Sequence, residues 1–276
     1  MPKELISFWR RFLRPLPTTP PYAHPDDLPC LIEKYGQSKI AEPSNFDSFI
    51  ASTRFGDSKD RQLHLSLLPV PYLGDLRRAE IVILLLNPGL SHTDYWGETK
   101  SPAFYEPFRR RLEDSLRQSF SGQRFPFLGL DPQLCWWSGF EWWEKKLHDV
   151  AFKISRTHFN GSYFKALRDL SSRVACVELV PYHSSSFGAH SLIKKLPSAQ
   201  MAVRFVQESL VQDAVAKKRT LIVTRKIEDW GFKRGAKSDG NLIIYEGGQR
   251  RGASLGVDTP GGRAILRHYR NVKAGS

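Results

Sequence analysis

Cysteine is scarce in this chain of 276 residues. The three cysteines are Cys30, Cys135 and Cys176, and no two of them have the Cys-x-x-Cys spacing. An odd number without that spacing argues against both a disulfide framework and a metal site built from thiolates. We therefore expect a protein of the reducing cytoplasm that carries neither a metal ion nor another cofactor.

Acidic residues are also few. Asp and Glu total 28 against 41 Lys and Arg, which gives a formal net charge of +13. An excess of this size favours a polyanionic partner such as DNA, although many basic proteins never bind nucleic acid. No cluster of carboxylates is visible in the sequence, which argues against a metal-dependent nuclease.

Long apolar segments and internal repeats are absent. Residues 1–14 alternate aromatic and basic side chains, and their apolar stretches are too short for a membrane span or a signal peptide. This pattern predicts an amphipathic helix that packs on the body of the protein. We expect a monomer with an N-terminal extension, 1–75, which contains this helix, a proline-rich segment and a possible edge strand at 62–68. The remainder, 76–276, would form one α/β domain.

Four apolar runs are present in that domain. They lie at 81–86, 174–180, 220–224 and 241–245, and segments long enough for helices separate most of them. Strands connected in this way form right-handed parallel crossovers. The sequence therefore predicts a three-layer α/β/α sandwich around a four-stranded parallel sheet. The loops that follow the four strands would then gather at one edge of the sheet.

The first of these runs ends in Asn87, Pro88 and Gly89. Open α/β sheets place their chemistry in the loops after such buried strands. Pro88 ends the ladder, and Gly89 lets the backbone turn or approach a ligand closely. Asn87 is thus predicted to stand at the carboxyl end of a central strand. A purely structural alternative is that its amide only hydrogen-bonds its own turn.

The motif at residues 86–91, Leu-Asn-Pro-Gly-Leu-Ser, resembles the first motif of the uracil-DNA glycosylase superfamily, in particular its mismatch-specific and thymine/uracil branch. That resemblance, which extends from about Glu80 to Tyr269, implies a four-stranded parallel core and a DNA partner. It implies that Asn87 holds the hydrolytic water, while Pro88 and Gly89 wall the base pocket. A neutral amide is sufficient for this role because the reaction passes through a sugar cation, so the water needs placement more than a strong base.

Glu178 interrupts the second apolar run, where a carboxyl group needs a partner or a special role. The resemblance places it where the family usually carries an Asn that reads the pyrimidine edge. An ionised Glu can only accept hydrogen bonds, as from the amino group of cytosine, whereas a neutral one can also donate to cytosine N3. We therefore predict an amino-bearing base as the substrate. An internal ion pair with Arg or Lys is the structural alternative.

Gly89 falls where uracil-specific members of the family carry a bulky Tyr that blocks the 5-substituent of the pyrimidine. With no side chain at Gly89, the pocket is expected to admit a base with a large 5-group. The hypermodified cytosines of some phage DNA are such bases. The superfamily resembles phage-restricting glycosylases of some bacteria in this respect, and a role in antiviral defence is our hypothesis.

Four aromatic or imidazole side chains complete the predicted site. His183 is expected to contact the leaving base or a phosphate, or else to cap its loop, and Tyr182 precedes it in the second loop. Tyr95 and Trp96 are candidates for stacking on a flipped base. The tryptophan pairs at 136–137 and 142–143 are predicted to pack in the core rather than to stack on bases.

A basic, glycine-rich fourth loop is the main departure from the family. Most branches carry a His-Pro-Ser or Asn-Pro-Ser run there, and this chain has no matching His. Its glycines and arginines suit contacts with phosphate, although a solvated charged face would look the same. The predicted DNA-binding residues are Arg225, Lys226, Gln249, Arg250, Arg251 and Ser254.

Taken together, these features predict a monofunctional DNA glycosylase that acts on a modified cytosine by base flipping and leaves an abasic site. Two alternatives stay open. One is a nucleic-acid-binding module that kept the fold and lost the chemistry, and the other is a repair glycosylase for uracil or mismatched bases.

Overall fold

A mixed α/β architecture is seen in the computed structural model, which describes residues 3–14, 17–248 and 252–270. The strands are β1 (Tyr72–Leu73), β2 (Ile81–Leu85), β3 (Val174–Glu178), β4 (Thr220–Val223) and β5 (Leu242–Ile244). Within the described ranges the helices are α1 (Lys3–Phe12), α2 (Phe46–Ile50), α3 (His92–Tyr95), α4 (Pro102–Arg117), α5 (Ser138–His158), α6 (Tyr163–Arg173), α7 (Pro197–Phe205), α8 (Val211–Val215) and α9 (Pro260–Arg267).

The five strands form one sheet in the order β1-β3-β2-β4-β5. Strand β2 lies at its centre and pairs in parallel with β3 on one side and with β4 on the other. Every residue of β2, β3 and β4 is buried, as expected for branched apolar strands that helices cover. The carboxyl ends of the parallel strands therefore meet at one edge, and the loops after β2, β3 and β4 start there.

The prediction of a purely parallel, four-stranded sheet was wrong. A fifth strand, β1, pairs antiparallel with β3 and makes the sheet mixed. It contains only two residues between Pro71 and Gly74, which is too short to leave a pattern in the sequence. The expected edge strand at 62–68 is absent from its predicted place, where only isolated bridges form at Leu63 and His64.

Seven of the described helices form two groups that contact the sheet. Helices α5, α6 and α9 pack on one another and on β3, β4 and β5, while α1, α4, α7 and α8 form the second group. A π-helical turn, Val206–Leu210, joins α7 to α8, so that the crossover from β3 to β4 is one long helical segment. Among residues 3–14, 17–248 and 252–270, none of the helices is both long and apolar enough to cross a membrane.

The N-terminal helix packs on the body of the protein, as predicted. Leu5, Trp9 and Phe12 are each 1% exposed and lie in the same apolar core as the sheet. Helix α1 contacts α4 and α7. The N-terminal segment therefore contributes to the core that supports the strands.

Candidate functional site

A cavity of about 680 Å³ opens at the carboxyl edge of the sheet. Its floor includes Leu85 and Glu178, which are paired across β2 and β3. Its walls come from the loop after β2, the loop after β3 and the first turn of α5. The cavity lies where the strand order predicts a ligand site, because the loops that follow neighbouring parallel strands diverge there.

Asn87 lies in this cavity with its amide held by three acceptors. Its Nδ2 donates to Pro88 O at 2.7 Å, to Ser184 Oγ at 3.0 Å and to Tyr182 O at 3.3 Å. Because the two backbone oxygens can only accept, the nitrogen must face them, and this fixes the orientation of the amide. No described residue donates to Asn87 Oδ1. That oxygen is therefore available to accept a hydrogen bond from a water molecule.

Glu178 is the most unusual side chain of the cavity. It is only 6% exposed, and its Oε2 is buried without a hydrogen-bond partner among the described residues. Burial raises the pKa of its carboxyl well above the usual range, and the positive charge of Arg225 partly opposes this rise. The sequence left open an ion pair between Glu178 and an Arg or Lys. No salt bridge joins Glu178 to a described residue. Burial therefore favours the neutral form of this carboxyl group over the ionised one.

Pro88 and Gly89 wall the cavity, where the sequence placed them. A Cβ built at Gly89 meets no atom within 4 Å, and this glycine does not need a positive φ. The backbone here would accept a side chain without strain. The space beside Gly89 is therefore a property of this residue type rather than of the fold.

His183 lines the cavity, but both ring nitrogens are engaged. Nδ1 lies 2.7 Å from Gly89 O, and Nε2 lies 3.1 Å from Leu68 O. The ring is 1% exposed. It connects the loop after β2 with the N-terminal segment, so its nitrogens are not offered to a leaving base. The capping interpretation thus describes His183 better than the catalytic one.

Two of the predicted stacking or binding side chains lie in the core instead. Tyr95 is fully buried, stacks on Phe49 and contacts the His64 ring at 2.9 Å through its hydroxyl. Tyr182 is 1% exposed and donates from its hydroxyl to Asp27 at 2.5 Å. Neither side chain lines the cavity, because each satisfies its hydroxyl in the interior.

Trp96 also lies outside the cavity. It is half-buried and packs against Phe104. The other tryptophans follow the packing prediction, since Trp137 and Trp143 are 2% and 3% exposed and belong to the main core. Both of them nevertheless form part of the cavity wall, together with the half-buried Trp142. Sequence reasoning correctly predicted their burial and missed their second role.

Only three of the six predicted DNA-binding residues lie within the described ranges. Arg225 lines the cavity and lies two residues after the end of β4. Lys226 contacts Asp229 and His190 beside it. Ser254 is exposed and is not in the cavity lining. Gln249, Arg250 and Arg251 lie outside the described residues.

Several functional positions were not predicted from the sequence. Ser184 holds the Asn87 amide, and its signal was the serine run that follows the second strand. The first turn of α5 contributes Ser138 and Gly139, and Lys145 adds a positive charge at the rim. Periodicity could not reveal these residues, because the approach of α5 to the sheet edge depends on tertiary packing.

No group of three His, Cys, Asp or Glu side chains in the described part of the chain is arranged to hold a metal ion. The side chains that the cavity offers for chemistry include an oriented amide, a buried carboxyl group and nearby positive charge. Comparison with models of protein families, with curated proteins and with solved structures finds no match for this chain.

Proposed function

We propose that this protein is a monofunctional DNA glycosylase of the uracil-DNA glycosylase type. The observation that carries the proposal is the Asn87 amide in the lining of the cavity that also contains Glu178. Three acceptors fix the amide nitrogen, and no described residue donates to the amide oxygen. The cavity volume, about 680 Å³, falls in the range of sites for small organic ligands. A flipped nucleotide is a ligand of this size.

In this mechanism Asn87 Oδ1 accepts a hydrogen bond from one water molecule and places its oxygen near C1′ of the flipped nucleotide. The C1′–N1 bond breaks first and leaves a sugar cation, which the placed water then attacks. Positioning is the main contribution that such a reaction needs from the protein. The products are the free base and an abasic site.

We further propose that the base is an amino-bearing pyrimidine with a 5-substituent. The space beside Gly89 supports the substituent, because no atom lies within 4 Å of a Cβ placed there. Arg225 and Lys145 at the cavity supply positive charge for the DNA backbone, in a chain of net charge +13. Modified cytosine in phage DNA meets these requirements, and a cytoplasmic enzyme of antiviral defence that works as a monomer is the role we propose.

A panel of oligonucleotides tests this function. Single-stranded and duplex DNA with one uracil, thymine, cytosine, 5-methylcytosine or 5-hydroxymethylcytosine is incubated with the protein and then cleaved with hot alkali. We expect alkali-dependent strand breaks at 5-substituted cytosine above all. Cleavage without alkali, or a requirement for magnesium, would indicate a nuclease instead.

A non-catalytic DNA-binding module is the second candidate, and the geometry of His183 favours it. Both ring nitrogens face backbone carbonyls, so this imidazole does not assist the departure of a base. In this case the panel gives tight binding of modified DNA without any strand breaks. A repair glycosylase for uracil is the third outcome, and it predicts breaks at uracil above all.

A further inference from the structure

We propose that Glu178 is the general acid of the reaction, which delivers its proton to the ring nitrogen N3 of the leaving base. This inference rests on the proposed glycosylase function and assigns the residue a catalytic role in it. It also names the substrate class, namely a base whose ring nitrogen at this edge is an unprotonated acceptor, as in cytosine.

The position of Glu178 relative to Asn87 supports this assignment. Glu178 pairs with Leu85, and the ladder continues through Leu179 N to Leu85 O and Val180 N to Leu86 O. Asn87 is two residues beyond Leu85, so its Cα lies about 8 Å from that of Glu178 by the geometry of neighbouring strands. A pyrimidine between the two has its sugar end at the amide and its far edge at the carboxyl group.

The burial of the carboxyl group is not compensated at Oε2 by any hydrogen bond from the described residues. Glu178 is only 6% exposed, yet no described side chain or backbone group forms a hydrogen bond with its Oε2. A buried polar atom without a partner is costly and therefore rare in native proteins. A ligand that accepts the proton of this acid and donates to its other oxygen would satisfy both oxygens at once.

The surrounding charges favour a carboxyl group that holds its proton before the reaction and releases it during the reaction. The ionisable groups that face it are Arg225 after β4 and Cys176 on its own strand, with His183, His190, Glu141 and Lys145 around the same cavity. Burial raises the pKa of Glu178 and so favours the neutral acid that this role requires. The Arg225 charge stabilises the carboxylate that forms after the proton has left.

The step balances as follows. The C1′–N1 bond breaks and its electron pair goes to N1, while the proton of Glu178 moves to N3, so the base leaves as a neutral tautomer. The water held by Asn87 then adds to C1′ and releases a proton to solvent. That proton restores the acid form of Glu178.

Cytosine and uracil differ at the atom that receives the proton. Cytosine N3 is an acceptor beside an amino donor, and a neutral carboxylic acid complements this pair with its O–H and its C=O. Uracil N3 already carries a hydrogen, so the acid donates to O4 and accepts from N3–H, and it has no ring nitrogen to protonate. A neutral carboxylic acid can thus form two hydrogen bonds with either base, but proton transfer assists only cytosine.

The test uses single-turnover release of the base by the wild type, Glu178→Gln and the control Glu208→Gln, an exposed position. Substrates are matched at the 5-position: 5-methylcytosine with thymine, and 5-hydroxymethylcytosine with 5-hydroxymethyluracil. We expect Glu178→Gln to lose about 10²- to 10⁴-fold in rate on the cytosine bases, which is the range for a lost general acid. Its DNA affinity and its rate on the uracil bases should change little. The wild-type rate should fall as pH rises through the pKa of Glu178, and the variant should lack this fall.

Two results overturn the proposal in distinguishable ways. Equal rates of wild type and Glu178→Gln on the cytosine bases, with the same pH profile, reject the general acid and leave the glycosylase function intact. Absence of base release by the wild type from every substrate rejects the function itself and the acid with it.

Discussion

The side-chain amide of Asn87 donates to the hydroxyl of Ser184 at 3.0 Å, which joins the loop after β2 to the loop after β3. This is the only side-chain acceptor of that amide among the described residues, the others being backbone carbonyls. The hydroxyl therefore helps to fix the orientation of the amide. Ser184 is 2% exposed, so water cannot easily replace it.

Replacing this hydroxyl should loosen the amide without removing it. We expect Ser184→Ala to lower the rate of base release about 5-fold, because one of three fixing hydrogen bonds is lost and each is worth about 1 kcal/mol. DNA affinity should stay unchanged. The control is Ser172→Ala, which changes an exposed residue of α6 outside the cavity lining. An unaltered rate in Ser184→Ala would show that the two backbone carbonyls suffice to orient the amide.

The buried pair Tyr182 and Asp27 should govern stability rather than base choice. The Tyr182 hydroxyl donates to Asp27 and accepts from His24 N, so Tyr182→Phe leaves two buried polar groups short of a partner. We expect a loss of about 1–3 kcal/mol in the free energy of unfolding. Urea denaturation measures it, with the half-buried Tyr163→Phe as a milder control. A shift in substrate preference instead would place Tyr182 at the site after all.

The space beside Gly89 makes a prediction about specificity. Gly89→Tyr should abolish release of bases with a bulky 5-group while unsubstituted cytosine and uracil are released as before, because the ring fills the empty region next to the pyrimidine. Gly89→Ala, which adds only a Cβ in open space, is the matched control and should leave the preference unchanged. The comparison requires rates on substrates that differ only at the 5-position. Equal losses on all substrates would mean that the 5-substituent points elsewhere.

The raised pKa of Glu178 predicts a stability that declines with pH. A carboxyl group whose pKa is higher in the folded state binds more protons in the folded protein than in the unfolded chain. Its contribution to the free energy of unfolding is therefore complete below the unfolded pKa of about 4.3, and it is lost as pH rises toward the pKa of the folded state. The loss amounts to at most about 1.4 kcal/mol per pH unit. Glu178→Gln should remove this dependence and be more stable than the wild type at pH 8. The prediction would be contradicted if the free energies of unfolding of the two proteins changed in parallel from pH 4 to pH 8.

Much of the fold follows from local patterns. The apolar runs that form β2, β3 and β4 were recognisable because they are unbroken and end in turn residues, and the carboxyl-edge site follows from their parallel arrangement. Asn87 and Glu178 were candidates for a related reason, since Asn87 follows one such run and Glu178 interrupts another. Strand β1 was missed because two residues between Pro71 and Gly74 carry no periodic signal.

The parts of the site that depend on tertiary packing could not be predicted. Tyr95 and Tyr182 lie close to site residues in the sequence, yet both side chains are buried in the core. Tyr95 stacks on Phe49, and the Tyr182 hydroxyl donates a hydrogen bond to Asp27. His183 points to two carbonyls, one of which belongs to the N-terminal segment. The contacts of that segment arise from residues distant in sequence, and no local pattern predicts them.

The most direct test of the central claim is release of the free base by wild type, Asn87→Ala and the control Asn241→Ala, a position next to β5 and away from the cavity lining. Mass spectrometry of the free base and of the abasic strand, in single turnover on 5-substituted cytosine DNA, gives both products. The account predicts release by wild type and Asn241→Ala, and a rate at least about 100-fold lower in Asn87→Ala with unchanged DNA affinity. Equal release by Asn87→Ala, or modified DNA bound by the wild type with no base released, would contradict it.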